Sequence, residues 1–110
     1  MNWIKIKDEY EKAFNLLTTS GRELWIGYDA MLTYKPPHDD LYNERDLYDF
    51  FDSWGINPVV GIEVSTGKYV PSIYSKPNKG LIPFDKTFVN RKDAEDFVFL
   101  KAFDILERAL

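Results

Sequence analysis

The sequence predicts a small α+β domain, with one antiparallel sheet of three or four strands and helices packed mainly on one face. Segments near both ends of the chain repeat apolar residues at the helical spacing of three and four. Between them lie β-branched and aromatic runs, which glycine and proline turns separate. With 110 residues and 16% aromatic side chains, residues 1–110 have the length and apolar content of a single domain. The predicted order of elements is α-β-α-β-β-(β)-α.

The first predicted elements are a helix and a short strand. Apolar residues at helical spacing predict an amphipathic helix over residues 8–19, and Gly21 is the expected stop. Aromatic and β-branched residues at 24–28 predict a strand, which residues 31–34 extend or pair with. Residues 35–40 contain two prolines, which favour a loop.

The middle helix is predicted over residues 43–54. Asn43 is its expected N-cap, because an asparagine side chain can accept a hydrogen bond from the first helical turn. Gly55 is the expected stop, because glycine adopts the left-handed conformation that ends many helices. The predicted buried side of this helix consists of Leu47, Phe50, Phe51 and Trp54.

A β-hairpin follows the middle helix. Residues 59–64 form the clearest strand, residues 65–68 its turn and residues 69–74 the return strand. Pro71 in the return strand predicts an edge position, where a missing N–H costs nothing. Residues 81–89 are extended, either as a further strand or as a packed loop.

The last predicted helix begins after Asn90, its expected N-cap, and has Asp93 three residues later. Phe97 and Leu100 fall on or beside its charged side, which indicates an apolar contact surface. Its predicted buried face consists of Ala94, Val98, Ala102, Ile105 and Ala109, widened by Phe99, Phe103 and Leu106, with Asp93, Asp96, Asp104 and Glu107 opposite.

Several classes of function are disfavoured by the composition. The chain has no cysteine, so disulfides and thiolate metal sites are excluded. Residues 61–68 differ from a phosphate-binding loop, since five residues rather than four separate the glycines. We therefore predict no catalytic residue, no metal and no cofactor. The N-terminus carries no long apolar run, so we expect no signal peptide, no membrane segment and a cytoplasmic location.

Charge is sorted along the chain, although the formal net charge is only −4. Residues 39–52 hold six acidic residues and one arginine, a formal −5, whereas residues 65–92 hold six basic residues and one aspartate, a formal +5. Segregated charge steers partners and can join two copies of one chain. We therefore predict a small non-enzymatic interaction module that binds a protein partner or forms a homodimer. The predicted acidic face is Asp39, Asp40, Asp46, Asp49 and Asp52, and the predicted basic face is Lys68, Lys76, Lys79, Lys86, Arg91 and Lys92.

Two alternatives remain open. The lysines of residues 65–92 are interleaved with aromatic residues, and this combination can bind single-stranded nucleic acid, although the acidic net charge opposes it. His38 is the single histidine and lies beside Asp39 and Asp40, where it could serve a small hydrolase or a metal site. A zinc site needs about three protein ligands, so a solvated loop is the simpler interpretation.

Two resemblances accompany these patterns. The last helix, over residues 90–96 and 100–106, resembles the closing helix of small, mostly uncharacterised proteins of bacteriophages and mobile elements of gut bacteria, as do residues 47–51 and the Gly55-Ile56 step, which implies an accessory protein without a known activity. The start of the last helix also resembles the second helix of double-stranded-RNA-binding domains, which implies phosphate contacts by Arg91 and Lys92. The extra helix over residues 43–54 departs from that family's order of elements.

Overall fold

A computed structural model describes residues 3–20, 44–76 and 78–110, without the side chains of residues 18–20. It confirms the α+β class, with a three-stranded antiparallel sheet in the order β1-β2-β3. The predictions for residues 21–43, including the strand at 24–28, the proline loop and the Asn43 cap, lie outside the described residues. The elements are α1 (Trp3–Glu9), α2 (Glu11–Ser20), α3 (Glu44–Ser53), β1 (Ile56–Ile62), β2 (Tyr69–Ser75), β3 (Gly80–Pro83) and α4 (Arg91–Ala109).

The first predicted helix is two helices, and it begins at Trp3 rather than at residue 8. Tyr10 joins them, because its N–H donates to the Ile6 carbonyl and its own carbonyl accepts from Phe14, both at 2.8 Å. At this bend the Ala13 N–H donates to Glu107 Oε1 of α4 at 2.8 Å. A side-chain acceptor that enters the backbone ladder is a known cause of helix bending. Glu107 was predicted on the solvent side of the last helix, and this contact corrects that placement.

The helices meet around the ring of Phe103 on α4. Its centroid lies 4.9 Å from that of Phe51 on α3 and 6.2 Å from that of Trp3 on α1, both edge-on. This arrangement is favourable for aromatic pairs. Trp54 was predicted on the buried side but is 41% exposed, because α3 ends at Ser53 and Trp54 lies in the following turn. The predicted residues that are buried are Leu47, Phe50 and Phe51 of α3, and Ala94, Val98, Phe99, Ala102, Phe103 and Leu106 of α4.

A polar contact also joins α3 to α4. The Tyr48 hydroxyl donates to Glu95 Oε2 at 2.9 Å, and Arg91 Nε lies 3.7 Å from the same oxygen. Burial raises the pKa of Tyr48, and the hydrogen bond to Glu95 raises it further. Glu95 is almost fully buried, although no sequence pattern indicates this. Asn90 occupies the predicted cap position of α4, but its side chain makes no cap bond and instead donates to Asp93 at 3.2 Å.

β2 is the central strand, which corrects the edge position predicted from Pro71. The backbone N–H and C=O groups of the odd-numbered residues of β2 point towards β3. Tyr69, for example, exchanges two backbone hydrogen bonds with Phe88, at 2.8 and 2.9 Å. β3 pairs with β2 only up to Pro83, because Pro71 stands where the next bond would form and has no N–H to donate. The register then shifts by two residues before Phe88, so residues 84–87 form a bulge.

The two faces of the sheet differ in exposure. The face towards the helices buries Ile56 and Ile73, and it also buries Ser75, whose Oγ has no hydrogen-bond partner among the described residues. On the opposite face Tyr74 is 46% exposed and Leu81 is 62% exposed. The helices therefore cover one face of the sheet, as predicted.

Candidate functional site

The bulge at residues 84–87 and the adjacent Phe88 place three side chains against α4. The ring centroids of Phe84 and Phe88 lie 5.4 and 5.3 Å from that of Phe97. Lys86 Nζ lies 5.2 Å from the Phe97 centroid, and Lys101 Nζ lies 5.4 Å from it. We call these five residues the Phe97 platform. It joins Phe97, predicted as an apolar contact, to Lys86 of the predicted basic face.

The two ammonium groups of the Phe97 platform are held by an aromatic ring rather than by carboxylates. Within residues 3–20, 44–76 and 78–110, neither Lys86 nor Lys101 forms an ion pair. A cation above an aromatic face gains about 0.5–1 kcal/mol at an exposed site, which positions the lysine without cancelling its charge. The Phe97 platform therefore combines apolar surface with two positive charges that no carboxylate of the described residues pairs.

A groove of about 660 Å³ lies between α1 and α4 and shares Phe97 and Lys101 with the platform. Ile6 is buried on its floor, and Leu100, the second predicted apolar contact residue, is 39% exposed in it. We call this the α1–α4 groove. Two ion pairs lie on its rim, Lys5 with Glu9 at 3.9 Å and Arg108 with Asp104 at 3.2 Å. Its lining residues are Lys5, Ile6, Glu9, Tyr10, Phe97, Leu100, Lys101, Asp104 and Arg108.

Tyr10 is the uncharged polar side chain of the α1–α4 groove. Its ring stacks on Phe103, with the centroids 6.3 Å apart and an interplanar angle of 11°. Burial raises the pKa of Tyr10, and the negative charges of Asp104 and Glu9 raise it further. The phenol therefore stays protonated at neutral pH and can donate a hydrogen bond to a bound acceptor.

The structure divides the predicted basic face between the two ends of β2. Lys68 precedes β2 and Lys76 follows it, so about 26 Å separate their backbones at about 3.3 Å per residue. Arg91 and Lys92 each lie beside a carboxylate one turn further along α4, at 3.7 and 3.8 Å. The predicted basic residues near the Phe88 end of the sheet are Lys68, Lys86, Arg91 and Lys92, and those at the other end are Lys76 and Lys79.

The predicted acidic face is described only in part. Asp49 and Asp52 are exposed on α3, and Asp46 is half-buried. The Lys76 N–H donates to the Gly55 carbonyl at 3.0 Å, so one predicted basic residue lies at the end of the acidic helix. His38, Asp39 and Asp40 lie outside the described residues.

Sequence reasoning missed Lys101 and the contribution of α1 to the groove. Lys101 follows Phe97 by four residues, which on a helix places both side chains on the same face. The helical spacing of three and four also fits Trp3, Ile6 and Tyr10. If this spacing had been used, the first helix would have been predicted to begin at Trp3. The approach of Lys86 to Phe97 has no local signal, because the bulge brings them together.

The described residues offer neither a metal-ligand cluster nor a membrane-spanning helix. They contain no group of three or more histidine, cysteine, aspartate or glutamate side chains that could hold a metal ion. No helix in the described ranges is long and apolar enough to span a bilayer. Comparison with known proteins found no matching family model, no matching curated protein and no matching solved structure. The two resemblances noted in the sequence stay predictions.

Proposed function

We propose that this protein is a small non-enzymatic protein-binding module. It holds an acidic segment of a partner protein, which places an apolar side chain in the α1–α4 groove and its carboxylates against the Phe97 platform. The observation that carries this proposal is the position of Lys86 Nζ and Lys101 Nζ, 5.2 and 5.4 Å from the Phe97 centroid, beside an apolar groove.

Local charge supports an acidic partner. The groove and the platform together carry four cations and two carboxylates, on a chain whose formal net charge is −4. Opposite charge at a contact accelerates association and excludes partners of the wrong sign. Lys86 and Lys101, which form no ion pair among the described residues, lie next to the apolar surface, so one partner segment can contact both the lysines and that surface.

The layout of the α1–α4 groove supports a protein segment. Protein contacts typically have an apolar centre and a polar rim. Here Ile6, Phe97 and Leu100 form the apolar centre, and the ion pairs of Lys5 and Arg108 stand on the rim. Arginine and tyrosine are common contributors to binding energy in such contacts, and Arg108 and Tyr10 both line this groove.

Nucleic-acid binding has less support from the same residues. Base stacking needs an open aromatic face, whereas two ammonium groups lie over the Phe97 ring. A strand also needs a continuous basic track, whereas Lys76 and Lys79 lie at the opposite end of β2 from Lys86. A cytoplasmic location and an accessory role in a bacteriophage or mobile element stay predictions from the sequence.

The proposal is tested by NMR titration of the isotope-labelled chain with three probes. These are a short peptide of alternating glutamate and leucine, the same peptide with lysine for glutamate, and a short oligothymidine. We expect the acidic peptide to shift the signals of Phe97, Leu100 and Lys101. Lys86→Glu with Lys101→Glu should weaken its binding at least about tenfold, which corresponds to about 1.4 kcal/mol.

A matched control is Lys76→Glu with Lys79→Glu, which reverses the same number of charges at the far end of β2. This variant should bind the acidic peptide as the parent does. Equal affinity of the two variants for the acidic peptide would contradict the proposal. Tighter binding of oligothymidine than of the acidic peptide would favour the nucleic-acid alternative.

A further inference from the structure

The outer surface of α3 has the charge that the Phe97 platform would attract. Asp49 and Asp52 are exposed and lie three residues apart, a rise of about 4.5 Å along the helix. Within the described part of the chain, neither carboxylate takes part in an ion pair. Arg45 is the one cation of α3, against four acidic residues. The helix therefore keeps a negative outer surface.

An exposed aromatic side chain follows this acidic surface. Trp54 comes directly after α3 and is 41% exposed. A tryptophan can bury about 150–250 Å² and is among the residues that most often dominate protein contacts. The end of α3 thus presents an apolar ring and carboxylates together, which are the two features that the proposed function requires of a partner segment.

We propose that the partner is a second copy of this chain. This inference rests on the proposed function and names its occupant. Trp54 of one copy enters the α1–α4 groove of the other, and Asp49 and Asp52 face Lys86 and Lys101 there. Each copy carries one groove and one α3, so a twofold axis forms both contacts at once. Because the opposed charges lie at the surface, salt weakens the dimer.

A charge-exchange experiment tests the arrangement. One variant carries Lys86→Glu and Lys101→Glu, and the other carries Asp49→Lys and Asp52→Lys. Alone, each variant places like charges opposite each other in both contacts. In a mixture, one contact keeps its native charges and the other has them exchanged. Sedimentation velocity on the parent, on each variant and on the mixture measures the assembly, and circular dichroism confirms that the variants fold.

We expect a parent dimer whose dissociation constant rises at least about tenfold between low and high salt. Each variant alone should be monomeric at concentrations where the equimolar mixture is a dimer. Trp54→Ala should weaken the parent dimer at least about tenfold without a change in charge. Lys12→Glu, at an exposed lysine of α2 that lines neither the groove nor the Phe97 platform, is the control, and its dimer should match that of the parent.

Three results would overturn the inference. They are a monomeric parent at low salt, a mixture that stays monomeric, and a mass that keeps growing with concentration, which indicates an open chain of contacts. A monomeric parent that still binds the acidic peptide at Phe97 leaves the proposed function standing and removes only the second copy as its occupant. Failure of both measurements removes both proposals.

Discussion

The hydrogen bond between Glu107 and Ala13 gives the sharpest test of how this fold is held together, because it joins residues 94 positions apart. The Ala13 N–H is the third of α2 and has a side-chain acceptor at 2.8 Å. A hydrogen bond to a charged group contributes about 1.5–3 kcal/mol, and a carboxylate at a helix N-terminus adds about 0.3–1 kcal/mol. Glu107 is half-buried, which favours the lower values.

Glu107→Ala should therefore lower the free energy of unfolding by about 2 kcal/mol, or Tm by about 8 °C. Glu107→Gln should cost about 1 kcal/mol, because the amide oxygen still accepts the bond without the charge. Urea unfolding measures the stabilities, and amide hydrogen exchange at Ala13 measures the bond itself. Asp85→Asn, in the exposed bulge, is a control that should stay within about 0.5 kcal/mol of the parent.

The reasoning would be refuted if Glu107→Ala matched Asp85→Asn in stability and left the exchange of the Ala13 amide unchanged. That result would mean that the backbone N–H groups at the bend near Tyr10 find hydrogen-bond acceptors without the help of α4. Faster exchange at Ala13 without a loss of stability would also contradict the energy assigned to the bond.

Four further substitutions test other parts of the fold. Tyr48→Phe should cost about 1.5 kcal/mol in urea unfolding at neutral pH, because it removes the bond to Glu95. Because the pKa of Tyr48 is higher in the folded state than in the unfolded chain, its contribution to the free energy of unfolding is complete below pH 10 and falls as the pH rises above 10. The difference in free energy of unfolding between the parent and Tyr48→Phe should therefore narrow above pH 10. A difference that stays constant with pH would contradict this. Ser75→Ala should be neutral or stabilising by about 1 kcal/mol, since its buried hydroxyl has no partner among the described residues, and a clear loss of stability would reveal a bond to Ser75. Gly67→Ala should cost about 1 kcal/mol for its positive φ of 71°. Gly55→Ala, at φ 74°, should lower the stability measured by thermal unfolding more than Gly67→Ala does, because its Cβ would also lie 3.2 Å from Lys76 Cδ. Equal losses of stability in the two variants would exclude a penalty from that contact.

The sequence predicted the helix faces because their signal is local. Apolar residues three and four apart identify Phe50 and Phe51 of α3, and Val98 and Ala102 of α4, as buried before any tertiary contact is known. The same logic failed at Trp54, which continues the apolar spacing although the helix has already ended. Apolar periodicity identifies the buried side only of residues that are still helical. Where a helix ends depends on the turn that follows it.

The candidate site could be predicted only in part, because its residues meet through tertiary register. Phe97 and Leu100 have a local signal, namely apolar side chains on the charged side of a helix. The net charge of residues 65–92 placed Lys86 on one predicted basic face together with Lys76 and Lys79. A count of charges along the sequence cannot show that these lysines lie at opposite ends of a strand. The seven residues of β2 place these lysines at opposite ends of the sheet.

Pro71 links the sequence to the site more directly than any charged residue does. Its missing N–H stops the ladder between β2 and β3, and the bulge that follows presents Lys86 to the ring of Phe97. A residue with an N–H at this position could extend the ladder by one more bond, which would draw Phe84 into the strand and shift Lys86 away from α4. A proline that was interpreted as the mark of an edge strand thus accounts, at the centre of the sheet, for the position of a positive charge beside the groove.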